Sequence, residues 1–105
     1  MTKKEFINQI LKIILIETGI TIKKIDAEAP NILINTRFGK YKLTSIDTSG
    51  KVFSIFGKFI NKKYYETAKN EYNINHYSGK YNFNYIDGET CVHMFENFIR
   101  DINTF

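Results

Sequence analysis

The chain is poor in the residues that usually announce chemistry. Its single cysteine, Cys91, leaves no second thiol for an internal disulfide and fits a reducing compartment. Proline occurs once, at Pro30, where it marks a boundary between segments. Tryptophan is absent. There are two histidines, His76 and His93, and no CxxC or HxxxH pair. Cys91 and His93 lie two apart in a helical pattern, so they do not face a common point. Cys91 reads as a small core hydrophobe and His93 as part of a polar helix flank. No metal site and no cofactor is expected. Long apolar runs are also missing. The uninterrupted run Ile13–Ile16 is far too short to span a bilayer. Asn8, Gln9, Lys12 and Glu17 break up the N-terminal segment, and no small-residue cleavage site follows. The expectation is a cytoplasmic protein with no membrane segment.

Motifs for catalysis fail one by one. No Gly-x-Ser-x-Gly elbow is present, and Ser78, near His76, reads as a turn residue. Ser78-Gly79-Lys80 looks like the end of a phosphate-binding loop. It lacks the glycine five positions earlier, carries Tyr81 where Ser or Thr would hold magnesium, and leads into a strand. The carboxylates sit at helix starts and on helix faces, where they need no catalytic explanation. The chain is expected not to be an enzyme, with no catalytic residues.

What is present describes a fold. With 105 residues, 43% hydrophobic and 25% charged, the chain fits one globular domain over residues 1–105. Aromatics reach 15%, all Tyr and Phe. Thr2 and Glu5 form a capping-box pattern. Phe6, Ile7, Ile10, Leu11, Ile13, Ile14 and Leu15 then recur at helical spacing up to Gly19. A stripe this wide suits a core helix and leaves room for a homodimer contact. Ile20, Ile22 and Ile25 read as a short strand or an extended lead-in. Three strands follow, over 31–37, 40–46 and 51–57, with Val52 and Ile55 partly buried. Turns at Phe38-Gly39 and Asp47-Thr48-Ser49-Gly50 join them as an antiparallel meander.

A second helix is predicted from Lys62 to about Tyr72, with Asn61 as its cap. Next comes the most distinctive stretch, Asn73–Asp87. Ser78-Gly79 turns the chain, and Tyr81, Phe83 and Tyr85 then alternate with Lys80, Asn82 and Asn84. This alternation places the aromatics on one strand face. A last helix runs from about Glu89 to Asn103, with Cys91, Val92, Phe95, Phe98, Ile99 and Ile102 as its stripe. The expected fold is α+β, order α-β-β-β-α-β-α. Its mainly antiparallel sheet has four or so strands, with helices packed on one face.

The net charge is +4, from 15 basic and 11 acidic residues, and it is unevenly placed. Arg37, Lys40, Lys42, Lys51, Lys58, Lys62 and Lys63 face only Asp47 in the middle of the chain. After Lys63 the balance turns acidic. Two readings remain open. Lysines often guard sheet edges against pairing. Alternatively, a basic surface serves phosphates or an acidic protein. Binding of single strands needs exposed aromatics among basic residues, which Tyr41, Tyr81 and Tyr85 with Lys40, Lys42 and Lys80 would supply if they share an open face.

Residues 37–98 also resemble a loose group of small proteins encoded on phages and plasmids. Those carry a Tyr/Phe-Gly turn, a Phe-x-x-Phe strand end, a short helix and a block of the form Asn-Pro-Tyr-Ser-Gly-Lys-Trp-Asn-Phe-His. Here the matching residues are Phe38-Gly39, Phe53 and Phe56, and the block from Asn75 to Asn84. His76, Tyr81 and Asn84 depart from that pattern. The resemblance implies a mobile-element accessory protein. Several such proteins inhibit host defence, anti-CRISPR proteins among them. The first expectation is therefore a non-enzymatic protein that binds and inhibits a host protein or ribonucleoprotein complex, with a CRISPR effector as the named partner. Arg37, Lys40, Lys42, Lys80 and Tyr81 are the expected contact residues. The second is a small nucleic-acid-binding regulator using the same basic hairpin.

Overall fold

A computed structural model describes residues 1–22, 25–61 and 78–103. The first helix, α1, spans Lys3–Thr18. Thr2 caps it: the Glu5 N–H donates to Thr2 Oγ1 at 3.1 Å, and the Thr2 N–H donates to Glu5 Oε1 at 3.3 Å. Gly19 ends it, donating to the Leu15 carbonyl at 2.9 Å. Phe6, Ile10, Ile13 and Ile14 form its buried face. That face is narrower than the sequence stripe, because Leu15 remains 46% exposed. Ile20, Ile22, Ile25 and Ala27 then pack against the core without forming a strand, which is the extended lead-in.

Four antiparallel strands follow in the order β1-β2-β3-β4. They are β1 (Ile32–Thr36), β2 (Gly39–Asp47), β3 (Phe53–Phe59) and β4 (Phe83–Tyr85). The second described helix, α2, spans Gly88–Ile102. The α+β architecture follows from the period-two strands and period-3.6 helices read from the sequence. The helix expected over residues 62–72 lies outside the described residues. The third strand begins and ends two residues later than expected, so Val52 precedes it and is 38% exposed.

One sheet face supplies Ile34, Tyr41, Leu43, Ile55, Phe59 and Phe83 to the core, and both helices cover it. The stripe of α2 lies against them. Of its six predicted residues, Val92 alone is only half-buried. Tyr81 and Tyr85 pack against this core beside Phe83, so the aromatic alternation does mark the inward face.

At the centre Tyr41 reaches across β3. Its hydroxyl donates to the Tyr81 carbonyl at 2.8 Å, passing over Gly57. The Gly57 N–H in turn donates to Asn82 Oδ1 at 3.2 Å. The backbone bond from Gly57 to Tyr81 is thus replaced at both ends by side-chain partners. The converse bond, from the Tyr81 N–H to the Gly57 carbonyl, persists at 3.0 Å. This diversion explains why β4 is shorter than the aromatic alternation suggests.

Acid sensitivity follows from the caps and turns. Asp87 accepts from the Thr90 hydroxyl at 2.7 Å at the start of α2, and Asp47 accepts from the Ser49 hydroxyl at 2.7 Å. Hydrogen bonds to the charged form hold Glu5, Asp47 and Asp87 below the usual carboxylate range. Their contribution is fully present above the unfolded value of about 4 and is lost as pH falls through the lower folded values. Urea midpoints are therefore expected to drop below about pH 4, and to drop less in Asp87→Asn.

Candidate functional site

The second face of the sheet carries no described element, and its composition is unusual. Strand alternation that sends Tyr41 and Leu43 inward sends Lys40 and Lys42 outward. On β3, Ile55, Gly57 and Phe59 face in, so Ser54, Phe56 and Lys58 face out. The register then pairs Lys42 with Lys58, and Lys58 forms a bridge with Lys80. Residues directly opposite share a face, with Cβ atoms about 5 Å apart. Three lysines therefore stand in one row across β2, β3 and the segment entering β4, with Lys40 beside them. Leu33, paired with Lys42 and 44% exposed, extends the row onto β1.

Like charges directly opposite destabilise a sheet. Two unit charges 4 Å apart in water repel by about 1 kcal/mol. A well-filled core tolerates such a row, which adds nothing to the fold. Protection of a sheet edge does not account for Lys42 and Lys58 either, since β2 and β3 are the two central strands. Among the described residues, no carboxylate is paired with any of the four lysines; the ion pairs formed are Arg37–Asp101 and Arg100 with Glu17 and Glu96. On β2 the acid of this face is Asp47. It sits five residues from Lys42 along β2, about 16 Å away.

Beside the row the sheet is indented. An irregularity between Leu43 and Ser45 shifts the β2–β3 register and pairs Ser45 with Phe56. A depression of about 440 Å³ opens there, lined by Thr44, Ser45, Phe56, Gly57, Lys58, Lys80 and Asn82. Its floor holds a half-buried aromatic ring. Its rim holds ammonium, amide and hydroxyl groups and no carboxylate.

Of the residues expected to make contacts, Lys40, Lys42 and Lys80 share this face. Arg37 and Tyr81 are placed elsewhere. Arg37 lies in the β1–β2 turn with its guanidinium 4.3 Å over the Phe38 ring and 3.8 Å from the Asp101 carboxylate on α2. Tyr81 points toward the helices and stacks on Phe98, with centroids 4.4 Å apart and planes 16° from parallel. Burial pushes its phenol above the usual value. Lys58, Phe56 and Asn82 are the additions. Lys58 was readable as basic, but a third strand ending at Gly57 excluded it from the sheet and hid its partners.

The other polar groupings are weaker. Burial pushes the Cys91 thiol up to about 12, far from a reactive thiolate. His93 lines a shallow groove between α1 and α2 with Gln9, Glu89 and Glu96. Among the described residues, no group of three His, Cys, Asp or Glu side chains could hold a metal ion. No described helix is long and apolar enough to cross a membrane. Compared with family models, curated proteins and solved structures, the chain matches none.

Proposed function

We propose that this chain is a non-catalytic binding protein that engages single-stranded nucleic acid through the lysine-bearing face of its sheet. The observation that supports this best is the Lys42–Lys58–Lys80 row, which runs from the two central strands to the segment entering β4. A row of like charge costs stability wherever its counter-charge is absent, and a phosphate backbone supplies that counter-charge. A sheet face with an aromatic among cations suits unpaired bases, whose faces can stack.

The test is binding of a labelled single strand at increasing salt. With three phosphates neutralised, the slope of log K against log salt is expected near −2, from about −0.7 for each phosphate on a single strand. Affinity then falls roughly twentyfold between about 50 and 200 mM salt. A slope near zero would remove the phosphate reading.

A second reading keeps the host-complex inhibitor, with a CRISPR effector as the named partner. It rests on the likeness to phage- and plasmid-encoded proteins and on Leu33, whose exposed side chain gives the lysine row an apolar end. A cationic surface with an apolar end suits an acidic protein partner. Pull-down from host lysate separates the two. Recovery of a defence component that survives nuclease supports the inhibitor, and recovery abolished by nuclease supports nucleic acid.

A further inference from the structure

Apart from the hydroxyls of Thr44 and Ser45, which both donate and accept, the polar side chains lining the depression are one-sided in hydrogen-bonding character. Lys58 and Lys80 can only donate. Asn82 would normally offer both an acceptor and two donors. Its Oδ1, however, accepts from the Gly57 backbone N–H at 3.2 Å. A backbone N–H cannot accept, so the amide cannot turn over without losing that bond. The Nδ2 group is therefore the part of Asn82 left for a ligand. Asn84, two residues on and on the same face, accepts through Oδ1 from the Ser54 hydroxyl at 2.7 Å, a partner that could equally accept from its amide. Lys58↔Lys80 and Ile55↔Phe83 share one register, which places Asn82 opposite Phe56. A ring, a fixed amide donor and two ammonium groups thus meet in one place.

We infer that the depression is a nucleobase subsite that prefers keto bases over amino bases. A base stacks on Phe56, its carbonyl oxygen accepts from Asn82 Nδ2, and the adjoining phosphate lies between Lys58 and Lys80. Uracil, thymine and guanine present a carbonyl oxygen where cytosine and adenine present an amino group. An amino group would meet no acceptor at Lys58, Lys80 or Asn82 Nδ2, and could donate only to the hydroxyls of Thr44 and Ser45. This inference rests on the nucleic-acid reading above and adds base selectivity to it.

The experiment compares fluorescein-labelled oligouridine and oligocytidine, each roughly ten nucleotides long, by fluorescence anisotropy. Both are pyrimidines with the same charge that differ only along one base edge, at the 4-position and at N3, so the comparison reads that edge and the Asn82 variant assigns the contact. The wild-type chain is expected to bind oligouridine about fivefold more tightly, the worth of one hydrogen bond. Asn82→Asp keeps an acceptor for the Gly57 N–H and removes the donor. It is expected to weaken both ligands and to abolish or invert the ratio. Phe56→Ala is expected to weaken both about tenfold and leave the ratio intact, as lost stacking should. Thermal melts of each variant establish that it is folded.

Equal binding of the two oligomers by the wild-type chain, or an unchanged ratio in Asn82→Asp, overturns the subsite. An unaltered affinity in Phe56→Ala removes the stacking platform and overturns it as well. If neither oligomer binds, the nucleic-acid reading falls and the subsite with it. Binding without preference sinks the subsite alone.

Discussion

Replacing Gly57 with alanine is expected to destabilise the protein by roughly 2–6 kcal/mol, summing an overpacking cost of about 1–3 with a comparable cost for an unpaired buried hydroxyl. A Cβ at this position would overlap the hydroxyl and ring of Tyr41, which crosses β3 there. Tyr41 is wholly buried, between Phe59 at 5.0 Å and Phe98 at 5.3 Å, so its ring has nowhere to retreat. Moving it would also break its bond to the Tyr81 carbonyl. Against a typical total of about 5–15 kcal/mol, the loss is large. The expected fall in Tm is about 10–30 °C.

The sign makes the test specific. Elsewhere in a strand, alanine is favoured over glycine by about 0.5–1 kcal/mol. In a Tyr41→Leu background the overlapping ring is gone, and Gly57→Ala should then be neutral or stabilising. Urea titrations of the two single variants and the double variant give the coupling directly. An undiminished penalty in the Tyr41→Leu background would refute the crossing as the reason for the glycine.

Reversing one charge, with Lys58→Glu, is expected to stabilise the fold and cripple binding together. Lys58 is the middle of the row, opposite Lys42 on one side and Lys80 on the other. Glutamate there turns two repulsive cross-strand pairs into two attractive ones. Tm should rise by roughly two to four degrees at low salt, and the gain should shrink as salt screens the pairs. The row meanwhile falls from three positive charges to a net of one.

The salt slope is then expected to flatten from near −2 to near −0.7, and affinity for a labelled single strand at about 50 mM salt to drop at least twentyfold. Because the variant is the more stable protein, unfolding cannot explain lost binding. Full affinity in Lys58→Glu would move the interface off this face. A fall in Tm would show that the lysines are not close enough to repel.

Much of this was readable along the chain, because local patterns carry it. Thr2 with Glu5 marks a helix start, since the capping bonds span only three residues. Cys91, Phe95, Phe98, Ile99 and Ile102 mark a buried helix face by spacing alone. The alternation at Tyr81, Phe83 and Tyr85 identifies one strand face correctly. Alternation cannot say which face is covered, however, and that decided whether Tyr81 joins a binding surface or the core. Arg37 likewise counted as one more basic residue near Lys40 until Asp101, on a distant helix, took its side chain.

The sequence by itself determined the α+β class and the strands and helices of the described segments. All of these rest on contacts within a few residues. Tertiary structure alone decided the rest. Lys42, Lys58 and Lys80 are 16 and 22 positions apart, and only strand register brings them side by side. Gly57 reads as a weak point in a strand until Tyr41 is seen lying over it. Asn82 looks like one more polar residue until the Gly57 N–H claims its oxygen. Register, crossing and orientation depend on which strands pair, and pairing is settled by the free energy of the whole core.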